Sequence, residues 1–338
     1  MIYIRYLILF ILLFYATIYA HYFFYPVGSV DNGRIILFIK QESKDHISLI
    51  LWNEETNQQE EGLWSLFNPA SVQVLPNETG FSFIDNGRLR IKYFNKRSPK
   101  TIDFDEYFYN IHRIEWISDS ELLFSAQGEN GHFAIFYGDI QGKVECMIAD
   151  FATDYVYPQK IENQLFYIKR CNDRYFIAKT KFSCNALSDD ILFFNNPIIF
   201  LSMKSDEEGF VIEHKQHYNH DDRVISFNYY QLHLINNIWS KKCLFSFDIP
   251  SNLLLSDSES RLYESLLPLI PRYTQDSIYF VDSKNSDLNQ LDMFVYDLKT
   301  SKINNIGTKY KKKKHKYNHF FVPLVQNKKI VLGGQLYN

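Results

Sequence analysis

Apolar residues fall along this chain in short runs separated by polar turn residues, and Ile114 to Lys143 shows the grammar most clearly. The stretch reads Ile-Glu-Trp-Ile-Ser-Asp-Ser-Glu-Leu-Leu-Phe-Ser-Ala, then Gln-Gly-Glu-Asn-Gly-His, then Phe-Ala-Ile-Phe-Tyr-Gly-Asp-Ile-Gln-Gly-Lys. Apolar runs around Trp116, at 122–124 and at 133–137 are too short for helices and read as strands. Asp119-Ser120, residues 128–131 and Gln141-Gly142 read as the turns that join them.

The same grammar divides the rest of the chain into units. The first holds strands at 23–27, 34–40 and 47–52, closed by the polar turn Glu54-Glu55-Thr56-Asn57. The second holds 71–75, 81–84, 89–94 and 101–104, with Asn86-Gly87 as a hairpin signal because both residues tolerate positive φ. The third is the stretch above, ended by 144–148. The fourth has 155–158, 164–169 and 175–181, with its hairpin turn at 171–174. The fifth is longer and less regular: 197–201, 209–213, 225–234 and 243–247, with a polar insertion at 214–223. Residues 256–267 break the pattern, and a short helix capped by Ser256 or Asp257 is expected there. The sixth holds 267–270, 277–281, 293–298 and 302–306, and two strands, 320–325 and 329–332, make an incomplete last unit.

The ends of three third strands superimpose on Asn53, Asp139 and Asp297. Their separations fit two and four steps of roughly 40–43 residues, the size of a four-stranded propeller blade. One twisted sheet cannot bury both faces alone, whereas sheets stacked radially cover one another and leave few exposed edges. An all-β propeller follows, with seven blades preferred at roughly 45 residues each and six as the alternative. In the seven-blade arrangement the N-terminal strand completes the last blade.

Three segments carry a family resemblance. Pro76-Asn77-Glu78-Thr79-Gly80-Phe81-Ser82-Phe83 resembles the Ser-Pro-Asp-Gly turn and strand of TolB-like, WD-repeat-like β-propeller repeats. Trp116-Ile117-Ser118-Asp119-Ser120-Glu121-Leu122-Leu123-Phe124 is similar in shorter form, and so is Tyr273-Thr274-Gln275-Asp276-Ser277-Ile278-Tyr279-Phe280. The strand that follows in the family is matched best at 294–301. No copy has the whole Pro-Asp-Gly. The resemblance spans about residues 30–335 and implies an exported propeller that binds proteins. The extra α/β domain that precedes the propeller in TolB itself has no counterpart between residues 21 and 30.

Composition adds a location. Arg5 precedes an apolar run, residues 6–20, in which Thr17 is the only non-apolar residue. This is a signal-peptide pattern, with Ile18-Tyr19-Ala20 as the candidate cleavage site. Left uncut, residues 6–25 match the thickness of a bilayer core, so membrane association through Met1–Tyr25 stays open. Either reading places residues 21–338 as one extracytoplasmic propeller domain, periplasmic or secreted. Aromatics at 17% suit pleated, half-buried surfaces. A net charge of −3 and a pI of about 6.4 give no reason to expect nucleic acid. Export permits disulfides among Cys146, Cys171, Cys184 and Cys243, and three full pairings are open. Cys171 and Cys184 would not face each other across the hairpin turn, so free, packed thiols are expected.

Candidate chemistry is sparse. His214, His217, His220, Asp221 and Asp222 carry metal-ligand groups, but residues three apart on a strand point to opposite faces and the spacing fits no standard site. A solvated loop is the expectation. Lys309–Lys316 is a basic run that suits an anionic partner or, more simply, an exposed connection. Asp103, Asp105 and Glu106 are sequence neighbours, whereas catalytic carboxylate pairs sit across a cleft, so a solvated edge is expected. The four Trp residues read as packing. Asn77-Glu78-Thr79 is a glycosylation sequon that matters only in a eukaryotic host. Nucleophile-elbow, zinc-protease and phosphate-loop motifs are missing. The expectation is a monomeric protein-binding module with no cofactor and no catalysis. A propeller hydrolase or lyase with carboxylates or His at the channel mouth is the second hypothesis. A structural envelope protein with a broad apolar face is the third.

Overall fold

A computed structural model gives the architecture. It describes residues 23–30, 35–43, 46–53, 56, 58–62, 67–85, 87–94, 96, 98–105, 108, 110–128, 130–184, 187–215, 224–250, 271–274, 276–282, 292–306, 324–326, 329–332 and 335–337. All the elements there are strands. The first sheet holds β1 (Phe23–Val30), β2 (Ile35–Ser43), β3 (His46–Asn53) and β4 (Gln58–Gly62). The second holds β5 (Phe67–Val74), β6 (Gly80–Asp85), β7 (Arg88–Tyr93) and β8 (Lys100–Ile102). The third holds β9 (Asn110–Trp116), β10 (Glu121–Gln127), β11 (Phe133–Asp139) and β12 (Val144–Ile148). The fourth holds β13 (Asp154–Ile161), β14 (Gln164–Cys171), β15 (Arg174–Lys181) and β16 (Asp189–Phe194). The fifth holds β17 (Ile198–Met203), β18 (Glu208–Lys215), β19 (Val224–Ile235) and β20 (Ile238–Pro250). The sixth holds β21 (Arg272–Tyr273), β22 (Ser277–Asp282), β23 (Asp292–Asp297) and β24 (Lys302–Asn305). A last sheet has β25 (Leu324–Gln326), β26 (Lys329–Leu332) and β27 (Gln335–Tyr337).

Each sheet is an antiparallel meander in chain order, and the first strands pack side by side: β25 on β1, β1 on β5, β5 on β9, β9 on β13 and β13 on β17. That is an all-β propeller with the first strands innermost. The N-terminal strand does not complete the last sheet as expected. β1 pairs with β2 inside its own sheet, and the last sheet finds its third strand in β27, which the sequence pattern had not revealed.

Boundaries moved elsewhere for physical reasons. β4 is Gln-Gln-Glu-Glu-Gly, a strand with no apolar residue to betray it. β16 begins with two aspartates and was likewise unassigned. The fifth sheet, expected to be irregular, has the longest strands, of 12 and 13 residues, turned by Asn236 and Asn237 at φ 51° and 63°. The sixth sheet starts at Arg272. Its expected first strand at 267–270, the expected helix at 256–267, the N-terminal segment 1–20 and the Lys309–Lys316 run lie outside the described residues. The hairpin at 171–174 stands: Cys171 faces Arg174, and Asn172 and Asp173 take φ 49° and 58°, the left-handed pair of a tight hairpin.

Apolar faces meet between sheets. Ile84, Leu89 and Ile91 of the second sheet pack on Ile114, Phe124 and Phe136 of the third. Leu123 and Ile135 of the third pack on Leu165 and Tyr167 of the fourth. Phe166 and Ile168 of the fourth meet Leu201 and Val211 of the fifth, with Trp239 edge-on to Phe166. The fifth and sixth stack Phe245 on Phe280 with centroids 4.1 Å apart. Each fully buried Phe contributes about 1.5–3 kcal/mol by leaving water.

Polar links run through the same interfaces. Gln159 on β13 donates to the Leu201 carbonyl at 3.1 Å and accepts from Met203 N at 2.7 Å. Asp154 Oδ1 accepts from Phe133 N and meets His132 Nδ1, each at 3.0 Å. Asp282 Oδ1 accepts from Asp248 N at 3.1 Å. These bonds satisfy buried and half-buried groups and fix how each sheet sits on the next.

Candidate functional site

The inner strands place one unusual cluster. β9 runs Asn-Ile-His-Arg-Ile-Glu-Trp, with a bulge opposite Ser125 and Ala126 that shifts its register by one residue. His112 turns into the interior beside Phe133 and Tyr157, 3.5 Å from Ser125 Oγ. Burial, aided by the neighbouring Arg113 charge, pulls its pKa down to about 3, so it is a neutral core imidazole.

Arg113 leans the other way. Its guanidinium lies 5.0 Å from the ring centre of Tyr157 on β13 and 5.7 Å from that of Phe200 on β17. Those strands begin the next two sheets, so the side chain reaches over the inner wall of the ring. Such cation–π contacts hold a guanidinium flat against aromatic faces. Tyr157 takes φ 58° at the bulge in β13, which re-aims its ring. Glu115, two residues along, approaches Arg113 Nη2 at 3.8 Å. Burial raises the Glu115 pKa and Arg113 offsets part of that. Arg272 on β21 is mostly enclosed, and its pKa is lowered first by burial and then by Arg113. Next to it the Tyr229 hydroxyl is fully buried.

The residues singled out from sequence lie elsewhere. His214, on β18, packs against Phe227 at 5.7 Å, while His217, His220 and Asp221 are outside the described residues. No group of metal-ligating side chains forms among the described residues. Asp103 and Arg88 make an exposed pair at 3.8 Å, Asp105 N donates to the Gly142 carbonyl, and Glu106 is not described. Trp116 bonds across a sheet interface and Trp52 is buried. None of the four cysteines is in a disulfide, but Cys146 and Cys243 are exposed and so are not packed as expected. Arg113 carries no spacing signal, because the rings it lies against belong to the next two sheets and are far away in sequence.

No known family profile and no curated protein matches the sequence. Solved structures do match. A puromycin-hydrolysing peptidase of Mycobacterium tuberculosis aligns with TM-score 0.62 at 12% identity, over 95% of this chain and 53% of that one. This chain therefore spans about half of that peptidase. The β-propeller domain of the Trilobed protease of Pyrococcus furiosus, described as having an open velcro topology, aligns with TM-score 0.52 at 11% identity, over 92% of this chain and 91% of that one. A protein assigned as TolB from Agrobacterium tumefaciens aligns at 14% identity over 76% of this chain and 87% of that one, and its TM-score of 0.46 is too low to carry an argument. Fold and comparison together define the class: an all-β propeller, akin in structure alone to propeller domains.

Proposed function

We propose that the chain is an exported propeller, closed by seven sheets, that binds a protein partner through the loops of one ring face. What supports the reading is the fold itself. Inter-sheet hydrogen bonds and aromatic stacks hold the strand ends rigidly, and loops so held present a fixed surface at little entropic cost. The apolar run at 6–20 supports export, and the contact of β25 with β1 supports closure. No observation among the described residues favours the hydrolase or lyase.

Photo-crosslinking in the native host tests it. Asp119, Glu207 and Asn237 lie in turns at one end of the sheets, and Asn172 and Gly131 at the other. Crosslinks to one protein from one set alone are expected. Equal crosslinking from both ends, or from neither, overturns the ring-face reading. Mass spectrometry of the mature N-terminus tests export in the same cells, since an intact Met1 on a cytoplasmic protein contradicts it.

A further inference from the structure

The longest hairpin among the described residues, β19–β20, ends in an exposed apolar tip. Pairing with β18 stops at His233, so the tip stands beyond the strand next to it. Ile235 and Ile238 face each other across the Asn236-Asn237 turn and are 59% and 70% exposed. Both asparagines take the left-handed conformation of a tight two-residue turn, which fixes the pair in one geometry. β-branched side chains also have few rotamers to lose, so the tip is presented at little entropic cost.

Exposed carboxylates lie beside it. Asp206 and Glu207 are in the turn that joins β17 to β18, and the Glu207 carbonyl accepts from Leu234 N at 2.8 Å, one residue from Ile235. Neither side chain enters an ion pair among the described residues. The nearby lysines are engaged elsewhere. Lys204 pairs with Glu208 at 3.3 Å, and Lys241 donates to the Phe193 carbonyl at 3.2 Å over the Phe194 ring. Lys242 stands further from the tip, opposite Gln231. The turns between first and second strands in the second, third and fourth sheets carry Glu78, Asp119 and Glu162 on the same ring face, all exposed. Apolar surface and negative charge thus occur side by side.

We propose that the β19–β20 tip docks a basic protein segment, which lays an apolar side chain against Ile235 and Ile238 and a lysine or arginine against Asp206 or Glu207. Charge decides among the occupants. The carboxylates repel an anionic membrane, and two copies meeting through this patch about a two-fold axis would set like charges together. A rigid apolar group beside a polar rim is the usual anatomy of a binding hot spot. The proposal rests on the ring-face reading and adds which face binds and the kind of partner it takes.

Fluorescence anisotropy of a labelled octapeptide of alternating leucine and lysine, titrated with the full chain, tests the surface. Saturable binding is expected, weakened by salt. It should be weaker by about fivefold or more in the double variant Ile235→Ser, Ile238→Ser and in the double variant Asp206→Asn, Glu207→Gln. All four side chains are exposed, so both variants should fold, as circular dichroism will check. Phe151→Ser, at an exposed site on the opposite ring face, should bind as the wild type does. An octapeptide of alternating leucine and glutamate should not bind. No binding of the lysine peptide, equal binding of both peptides, or undiminished binding in both double variants overturns the surface. So does dimerisation, or sedimentation with phosphatidylglycerol vesicles, that the serine variant loses. Photo-crosslinkers at Asn237 and Asn172 in the native host separate the two readings. A protein crosslinked from Asn237 and lost in the Asp206→Asn, Glu207→Gln variant upholds both. Crosslinks from Asn172 alone leave the ring-face reading standing and overturn this surface, and crosslinks from neither overturn both.

Discussion

The indole Nε1 of Trp116 donates a 2.8 Å hydrogen bond to Ser82 Oγ, joining the first strand of the third sheet to the second strand of the sheet before it. Ser82 is fully buried, so its hydroxyl has no water to turn to. Ser82→Ala would leave the indole N–H without this acceptor and should cost about 1–2 kcal/mol in urea unfolding. Trp116→Phe should cost more, because it also removes packing. Since both changes break one bond, a double-mutant cycle should give a coupling of about 1 kcal/mol. A coupling near zero would mean that the bond adds nothing to how these sheets hold together.

Gly142 follows Asp139 in the turn before β12. It takes φ +94°, and a Cβ there would run into the Asp103 carbonyl on the neighbouring sheet. Gly131 also has positive φ, +76°, but open space around it. Gly131→Ala should therefore cost only the left-handed strain of about 1–2 kcal/mol. Gly142→Ala should cost at least twice as much, because the clash is with backbone that cannot swing aside. Similar losses would show that the second and third sheets separate easily at this edge.

The same turn explains what the sequence could reveal. Asp139 Oδ1 accepts from Gln141 N at 2.8 Å and Lys143 N at 3.1 Å. Asp297 Oδ1 accepts from Lys299 N at 2.9 Å and Thr300 N at 2.8 Å, and Asn53 Oδ1 from Thr56 N at 3.1 Å. These are the residues whose spacing disclosed the repeat. Each closes a third strand with a side-chain oxygen, and local chemistry of that kind leaves a readable mark. β4 left none, because a wholly polar strand lacks hydrophobic alternation. The fifth sheet was obscured by the polar insertion between β18 and β19. Arg113 was hidden for another reason: its guanidinium meets Tyr157 and Phe200 only in space, across to the next two sheets.

Cys184 should react slowly with alkylating agents. Its thiol donates to Met147 Sδ at 3.5 Å, and the Glu145 carboxylate, ahead of burial, pushes its pKa up to about 11. The thiolate is the nucleophile, so little of it exists at pH 8. Mass-resolved iodoacetamide labelling should modify exposed Cys146 well before Cys184. Glu145→Gln removes the negative charge and should speed modification of Cys184 severalfold without changing that of Cys171. An unchanged rate would assign the slowness to burial instead.

His112 should make the protein sensitive to acid. Enclosed between Phe133 and Tyr157 and next to Arg113, it holds a folded-state pKa of about 3 against an ordinary 6.5. Above pH 6.5 the ring is neutral in both folded and unfolded chains and contributes no pH dependence. Between 6.5 and 3 the unfolded chain takes up a proton that the folded one refuses, so stability falls as the pH is lowered. One such group gives a slope of at most about 1.4 kcal/mol per pH unit. His112→Gln loses packing and should start less stable at pH 7.5, yet lose less on acidification. Urea midpoints measured from pH 7.5 to 4.5 should therefore converge for the two proteins. Parallel curves would place the acid sensitivity on another group.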